Sequence, residues 1–102
     1  MKKEDLKKLI IEKKSIKVRT KTLEEFMKLQ KYLFSIEIYW WCDNGTGELE
    51  EYRNAFGIGI DYEGSGNITF TYYGSEEGLK EDRAFEIRYQ DIIPPKEIIL
   101  FI

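Results

Sequence analysis

The chain has 102 residues, of which 42% are hydrophobic and 15% aromatic, enough for one domain with its own core, and its formal net charge is -3. It contains no histidine and one cysteine, which excludes Ser-His and Cys-His nucleophile pairs, zinc sites built on histidine or several cysteines, and any intrachain disulfide. Catalysis would have to rest on carboxylates, lysine, tyrosine or a carboxylate-bound metal, so composition favours a binding role without a cofactor over an enzymatic one.

Taken in order, Lys3 to Lys14 reads as a helix, with Leu6, Leu9 and Ile10 at helical spacing and Glu4 and Asp5 early, where the helix dipole favours acids. Its apolar stripe is narrow, so it either docks on the body or stays peripheral. Ser15 breaks it. Ile16 to Thr20 comes next as a short strand with Ile16 and Val18 on one side and Lys17 and Arg19 on the other. Thr22 to Glu25 forms a capping box, and Leu23, Phe26, Met27, Gln30, Leu33 and Phe34 continue a second helix to about Phe34.

Ile36 to Cys42 reads as the strand around which the rest is organised. Ile36, Ile38 and Trp40 alternate with Glu37, Tyr39 and Trp41, and β-branched and aromatic residues on both sides place it inside the sheet rather than at an edge. With the preceding strand and helix it makes a β-α-β unit, right-handed if its strands are parallel. Asp43 to Arg53 reads as turn chemistry and a polar excursion. Phe56 to Tyr62 and Asn67 to Tyr73 alternate as a hairpin closed by Glu63 to Gly66, with Ile58, Ile60, Ile68, Phe70 and Tyr72 toward the core. Gly74 to Arg83 reads as a charged loop and Phe85 to Gln90 as a further strand, which Pro94 and Pro95 end. The run Ile98, Ile99, Leu100, Phe101 and Ile102 is either a last strand or the contact of a homodimer. The expected fold class is α+β: a mainly antiparallel sheet of five to six strands with one or two helices, in the order α-β-α-β-β-β-β with one optional strand more.

Charge is unevenly distributed. Residues 1–31 hold 11 of the 16 basic residues and 5 of the 19 acidic ones, a pattern that gives either opposed electrostatic faces or a helix solvated by lysines. The charged start, Met-Lys-Lys, and the lack of a long apolar run point to a cytoplasmic protein with no membrane partner.

Alternation collects Lys17, Arg19, Tyr39, Trp41, Gly57, Gly59, Thr69, Thr71, Tyr73, Arg88 and Gln90 on the sheet face opposite the second helix. Gly57 and Gly59 would leave a trough between aromatic walls. The plain expectation is that the first helix covers this face as a second core layer. The functional readings are a partner-binding surface, or a nucleotide platform on Tyr39, Trp41, Thr71 and Tyr73 with Lys17, Arg19 and Arg88 on the phosphates. Glu76, Glu77, Glu81 and Asp82 form either a solvated loop or an acidic surface for a basic partner. Cys42, without a histidine, reads as a small buried residue. Gly57-Ile58-Gly59 lacks the helix a phosphate loop needs. Asp43, Asn44, Glu48, Glu50 and Glu51 lack EF-hand spacing, so no metal is expected.

The stretch IKVRTKTLEEFMKLQKYLF, together with the aromatic strand after it, covers roughly residues 15 to 42. It resembles short phage and prophage proteins with a lysine-rich start, a KVR-type strand, a capped helix and a tryptophan-containing strand. The resemblance implies a non-catalytic accessory protein that binds a host protein, in the manner of inhibitors of bacterial defence systems, or one that sequesters a nucleotide signal.

Overall fold

The computed structural model describes residues 1–41, 56–64 and 66–94. Its elements are α1 (Lys3–Lys13), β1 (Ser15–Arg19), α2 (Leu23–Ser35), β2 (Tyr39–Trp40), β3 (Gly57–Tyr62), β4 (Ile68–Tyr73), α3 (Glu76–Glu81), β5 (Phe85–Arg88) and α4 (Tyr89–Ile92). The five strands form one sheet in the order β2-β4-β3-β1-β5. The fold is α+β, but the sheet is mixed: β1/β3 and β3/β4 are antiparallel, whereas β1/β5 and β2/β4 are parallel. Only β3 therefore runs against the rest. The expected antiparallel bias fails because two connections carry helices, α2 between β1 and β2 and α3 between β4 and β5, and such crossovers return the chain in its original direction.

The capping box forms as expected. Thr22 Oγ1 accepts from the Glu25 amide at 3.1 Å, and the Glu25 carboxylate reaches back to the Lys21 amide at 2.9 Å. Phe26, Leu29 and Leu33 then line the buried side of α2. They pack with Leu6 and Ile10 of α1 against Ile16, Val18, Ile58, Ile60, Phe70, Trp40 and Ile87 in a single core cluster. Both long helices thus cover one face of the sheet. Each fully buried Leu, Ile or Phe contributes about 1.5–3 kcal/mol by leaving water. Trp40 closes one end of this layer, its ring centroid 4.2 Å from that of Phe70.

The strand expected at Ile36 to Cys42 is reduced to Tyr39–Trp40, and it lies at an edge of the described sheet, not inside it. The reason is local. The amides of Ile36, Glu37 and Ile38 all return to the Leu33 and Phe34 carbonyls at the end of α2, and Glu37 takes a left-handed φ of 65°. Ile36 and Ile38 are buried by this closing turn, which mimics strand alternation in the burial pattern. β1 and β2 are also not neighbours, since β3 and β4 lie between them.

Three further expectations change. Gly74 to Arg83 contains α3, capped by Ser75 Oγ, which accepts from the Gly78 amide at 3.0 Å; its one buried apolar residue, Leu79, gave no period to read. The Phe85 strand stops at Arg88, and Tyr89 opens α4, so the described chain has four helices rather than one or two. α1 ends at Lys13, with Lys14 at φ 70°, and it lies beside α2 instead of covering the opposite face. Cys42, Asp43, Asn44, Glu48, Glu50, Glu51 and Ile98 to Ile102 lie outside the described residues. Among the described residues no helix is long and apolar enough to cross a membrane.

Candidate functional site: the open sheet face and its β2 edge

The register decides which residues share the face opposite α1 and α2. Cross-strand pairing aligns Tyr39, Thr69, Asp61 and Ser15 in one row, Thr71, Gly59, Lys17 and Glu86 in the next, and Tyr73, Gly57, Arg19 and Arg88 in a third. Gln90 does not join them, because it sits on α4. The face is the expected one, but its contents are used differently.

Its middle is closed by α3. Lys17, only 7% exposed, donates from Nζ to the carbonyl oxygens of Leu79 and Asp82, each at 2.7 Å. These carbonyls belong to the C-terminal turn of α3, where backbone acceptors lack helical partners and the partial charge is negative. Tyr73 donates its hydroxyl to the Asp82 carboxylate. Burial first, then this hydrogen bond and the negative charges of Asp82 and Asp61, pushes the Tyr73 phenol well above its ordinary range. Asp82 also accepts from the Ala84 amide, so it serves the junction between α3 and β5.

The trough expected over Gly57 and Gly59 is filled. A Cβ on Gly59 would lie 2.9 Å from the Tyr73 hydroxyl oxygen and 3.2 Å from its ring, and one on Gly57 would lie 2.4 Å from the Val18 carbonyl oxygen. Gly59 therefore seats the Tyr73 ring, and Gly57 allows β1 to approach. Lys17 and Tyr73 are fastenings of α3, which removes them from the nucleotide platform.

The arginines occupy the far side. Arg19 and Arg88 are register partners on parallel strands, a like-charged pair that is unfavourable unless compensated. Each has its own carboxylate: Arg19 to Glu76 at 2.8 Å, and Arg88 to Asp91 at 3.1 and 3.2 Å. The hydrogen bonds from Arg88 hold the Asp91 carboxyl below its usual range. A cleft of about 170 Å³ beside them is lined by Arg19, Lys21 and Arg88 but also by Glu25 and Glu86. Counting Glu76 and Asp91, which pair with the two arginines, four carboxylates stand against three cations around the cleft. Of the acidic set, Glu76 and Asp82 are engaged internally, while Glu77 and Glu81 are exposed on α3.

The near edge is different. Trp41, just past β2, is 64% exposed, its amide held by the Phe70 carbonyl at 2.9 Å. Tyr39 is half-buried on the open face, beside Thr69 and near Thr71. Four strand spacings, about 19 Å, separate β2 from β5, with α3 between them. Tyr39 and Trp41 thus stand at the opposite edge of the described sheet from Arg88, with Arg19 one strand nearer.

No family model, curated protein or solved structure matches this chain. The site therefore stands on its own geometry. At the β2 edge the structure adds residues that sequence reasoning missed. A cleft of about 240 Å³ runs between the start of β2, the start of β4 and α1, and brings Lys7, Glu37 and Asn67 to Tyr39 and Thr69. Glu37 sat in the alternation as an ordinary strand residue, and nothing in the sequence links Lys7 or Asn67 to it.

Proposed function

We propose that the chain is a non-catalytic binding protein that engages a partner protein through the β2 edge, with Trp41 and Tyr39 as anchors. The observation that carries the reading is the 64% exposure of Trp41 next to a half-buried Tyr39 on an edge strand of the described sheet. Trp and Tyr dominate the energetics of protein interfaces, because a large rigid ring gains apolar burial while ordering few torsions. The rest of the open face favours the same location: its centre is closed by α3 and its far arginines are neutralised. The resemblance to short phage proteins supports a host protein as the partner and inhibition of a defence component as the outcome.

The test is affinity capture from host lysate, followed by titration with the purified captured protein. Wild type is compared with Trp41→Ala and with Glu77→Gln/Glu81→Gln. A protein bound by wild type and by the α3 variant, but more than about tenfold weaker with Trp41→Ala, supports the reading. Equal binding by Trp41→Ala, with melting unchanged, sinks it, and selective loss in the α3 variant moves the interface to the acidic helix.

A further inference from the structure

Glu37 holds a backbone conformation, φ 65°, in which glycine is the unstrained residue. Its side chain is exposed and makes no hydrogen bond or ion pair among the described residues, although Lys7 lines the same cleft. The Lys7 ammonium and the Glu37 carboxylate therefore stand farther apart than an ion pair allows, with space between them. The lining also includes Ile38, Ile68 and Thr69, which are buried or half-buried, and the Asn67 amide and the Tyr39 hydroxyl are uncommitted among the described residues. The cleft thus brings together a cation, an anion, neutral donors and acceptors, and two isoleucines.

We propose that this cleft binds a small zwitterion, an amino acid whose carboxylate meets Lys7 and whose ammonium meets Glu37 while its carbon stem lies on Ile38 and Ile68. The volume of about 240 Å³ is below the roughly 300 Å³ at which pockets for drug-sized ligands begin, and suits one molecule of amino-acid size. Ligands bearing one charge are disfavoured for a physical reason. They pair only one of the two protein charges, whereas a zwitterion pairs both and gains two charge-assisted contacts. The left-handed Glu37 has a role on this reading, because the turn that closes α2 places this residue in the lining of the cleft. The site shares Tyr39 with the proposed partner surface but does not depend on that reading.

The test is an amide NMR titration of the full chain, without any partner protein. The probes are glycine, β-alanine, 4-aminobutyrate, 5-aminovalerate and L-lysine, with butylamine and butyrate as single-charge controls. The expected result is saturable shifts at Gly66, at Thr69 and at the Asn67 side-chain amide for at least one zwitterion, with the controls about tenfold or more weaker. Lys7→Gln and Glu37→Gln should each weaken binding by a similar factor. Glu37→Gly should abolish it while raising the melting temperature, so that lost binding is not confused with unfolding. Absence of saturable shifts for every zwitterion up to about 10 mM, or controls that bind as well as zwitterions, overturns the proposal. Because no partner is present, that failure leaves the protein-binding reading untouched.

Discussion

The substitution Lys17→Met isolates what fastens α3 to the sheet. Methionine keeps the unbranched stem that crosses β1 but removes the ammonium, and with it two bonds of 2.7 Å to the Leu79 and Asp82 carbonyls. Hydrogen bonds that involve a charged group contribute about 1.5–3 kcal/mol each. Against that gain stands the cost of keeping an ammonium 7% exposed, several kcal/mol for a poorly hydrated ion. The carbonyls left behind add their own cost, since Leu79 is buried and its oxygen has no ready route to water. The balance is a loss of about 2–4 kcal/mol, which at roughly 4–8 °C per kcal/mol lowers the melting temperature by about 8–32 °C in a domain of this size. Urea unfolding followed by circular dichroism measures it, with hydrogen exchange at Leu79 and Asp82 as a local readout. A variant within about 0.5 kcal/mol of wild type and equally protected at α3 would refute the reasoning, because the ammonium would then be solvated rather than bound to the helix end.

Tyr73→Phe should change the alkaline limb of stability. The native phenol is raised above its ordinary value, so its contribution is complete below about pH 10, the unfolded tyrosine value, and is lost as pH climbs toward the folded one. The difference in stability between wild type and Tyr73→Phe should shrink above that pH; a constant difference contradicts the Tyr73–Asp82 bond. Gly57→Ala places a methyl 2.4 Å from the Val18 carbonyl oxygen and should cost about 3 kcal/mol or more, measured by urea unfolding. Gly59→Ala meets a side chain that can swing and should cost less. Thr20 carries a buried hydroxyl without a hydrogen-bond partner among the described residues, so Thr20→Val should stabilise by about 1 kcal/mol; a fall in melting temperature would show that the hydroxyl is in use.

What could be read from the sequence was the set of patterns that one residue's neighbours decide. The Thr22/Glu25 box and the spacing of Phe26, Met27, Gln30, Leu33 and Phe34 locate α2 to within a residue at its end. Strict alternation in β3 and β4 assigns the two faces correctly, with Ile58, Ile60 and Phe70 in the core and Gly59 and Thr71 on the other face. Two things were hidden. The turn after α2 buries Ile36 and Ile38 with the same period of two that a strand gives, so the burial pattern could not separate them. α3 has one buried side chain, Leu79, and begins at a Ser cap beside a glycine, which reads equally as loop. The candidate site was hidden for a third reason: alternation tells which face a residue is on but not which strand lies beside which. Strand order is what sets β2 four strand spacings, about 19 Å, from β5.

That order also explains where function is left room. The connection from β1 to β2 carries α2 over one face, and the connection from β4 to β5 carries α3 over the other. The two crossovers travel in opposite directions on opposite faces, so they turn in the same sense, as the strong preference for a single hand requires. A helix laid across the middle of the open face is thus a consequence of connectivity. Lys17, from the lysine-rich first third of the chain, meets the end of α3 because of it, and the residues that alternation gathered into one candidate site are divided. The β1/β5 side is left with arginines already paired to Glu76 and Asp91, and the surroundings of β2 with an exposed Trp41 and, among the described residues, a left-handed Glu37 and a Lys7 on α1 that form no ion pair. The unused chemistry of the described face lies at the β2 edge. Variants there should change binding and leave stability nearly intact, whereas variants at Lys17, Gly57 or Tyr73 should do the reverse.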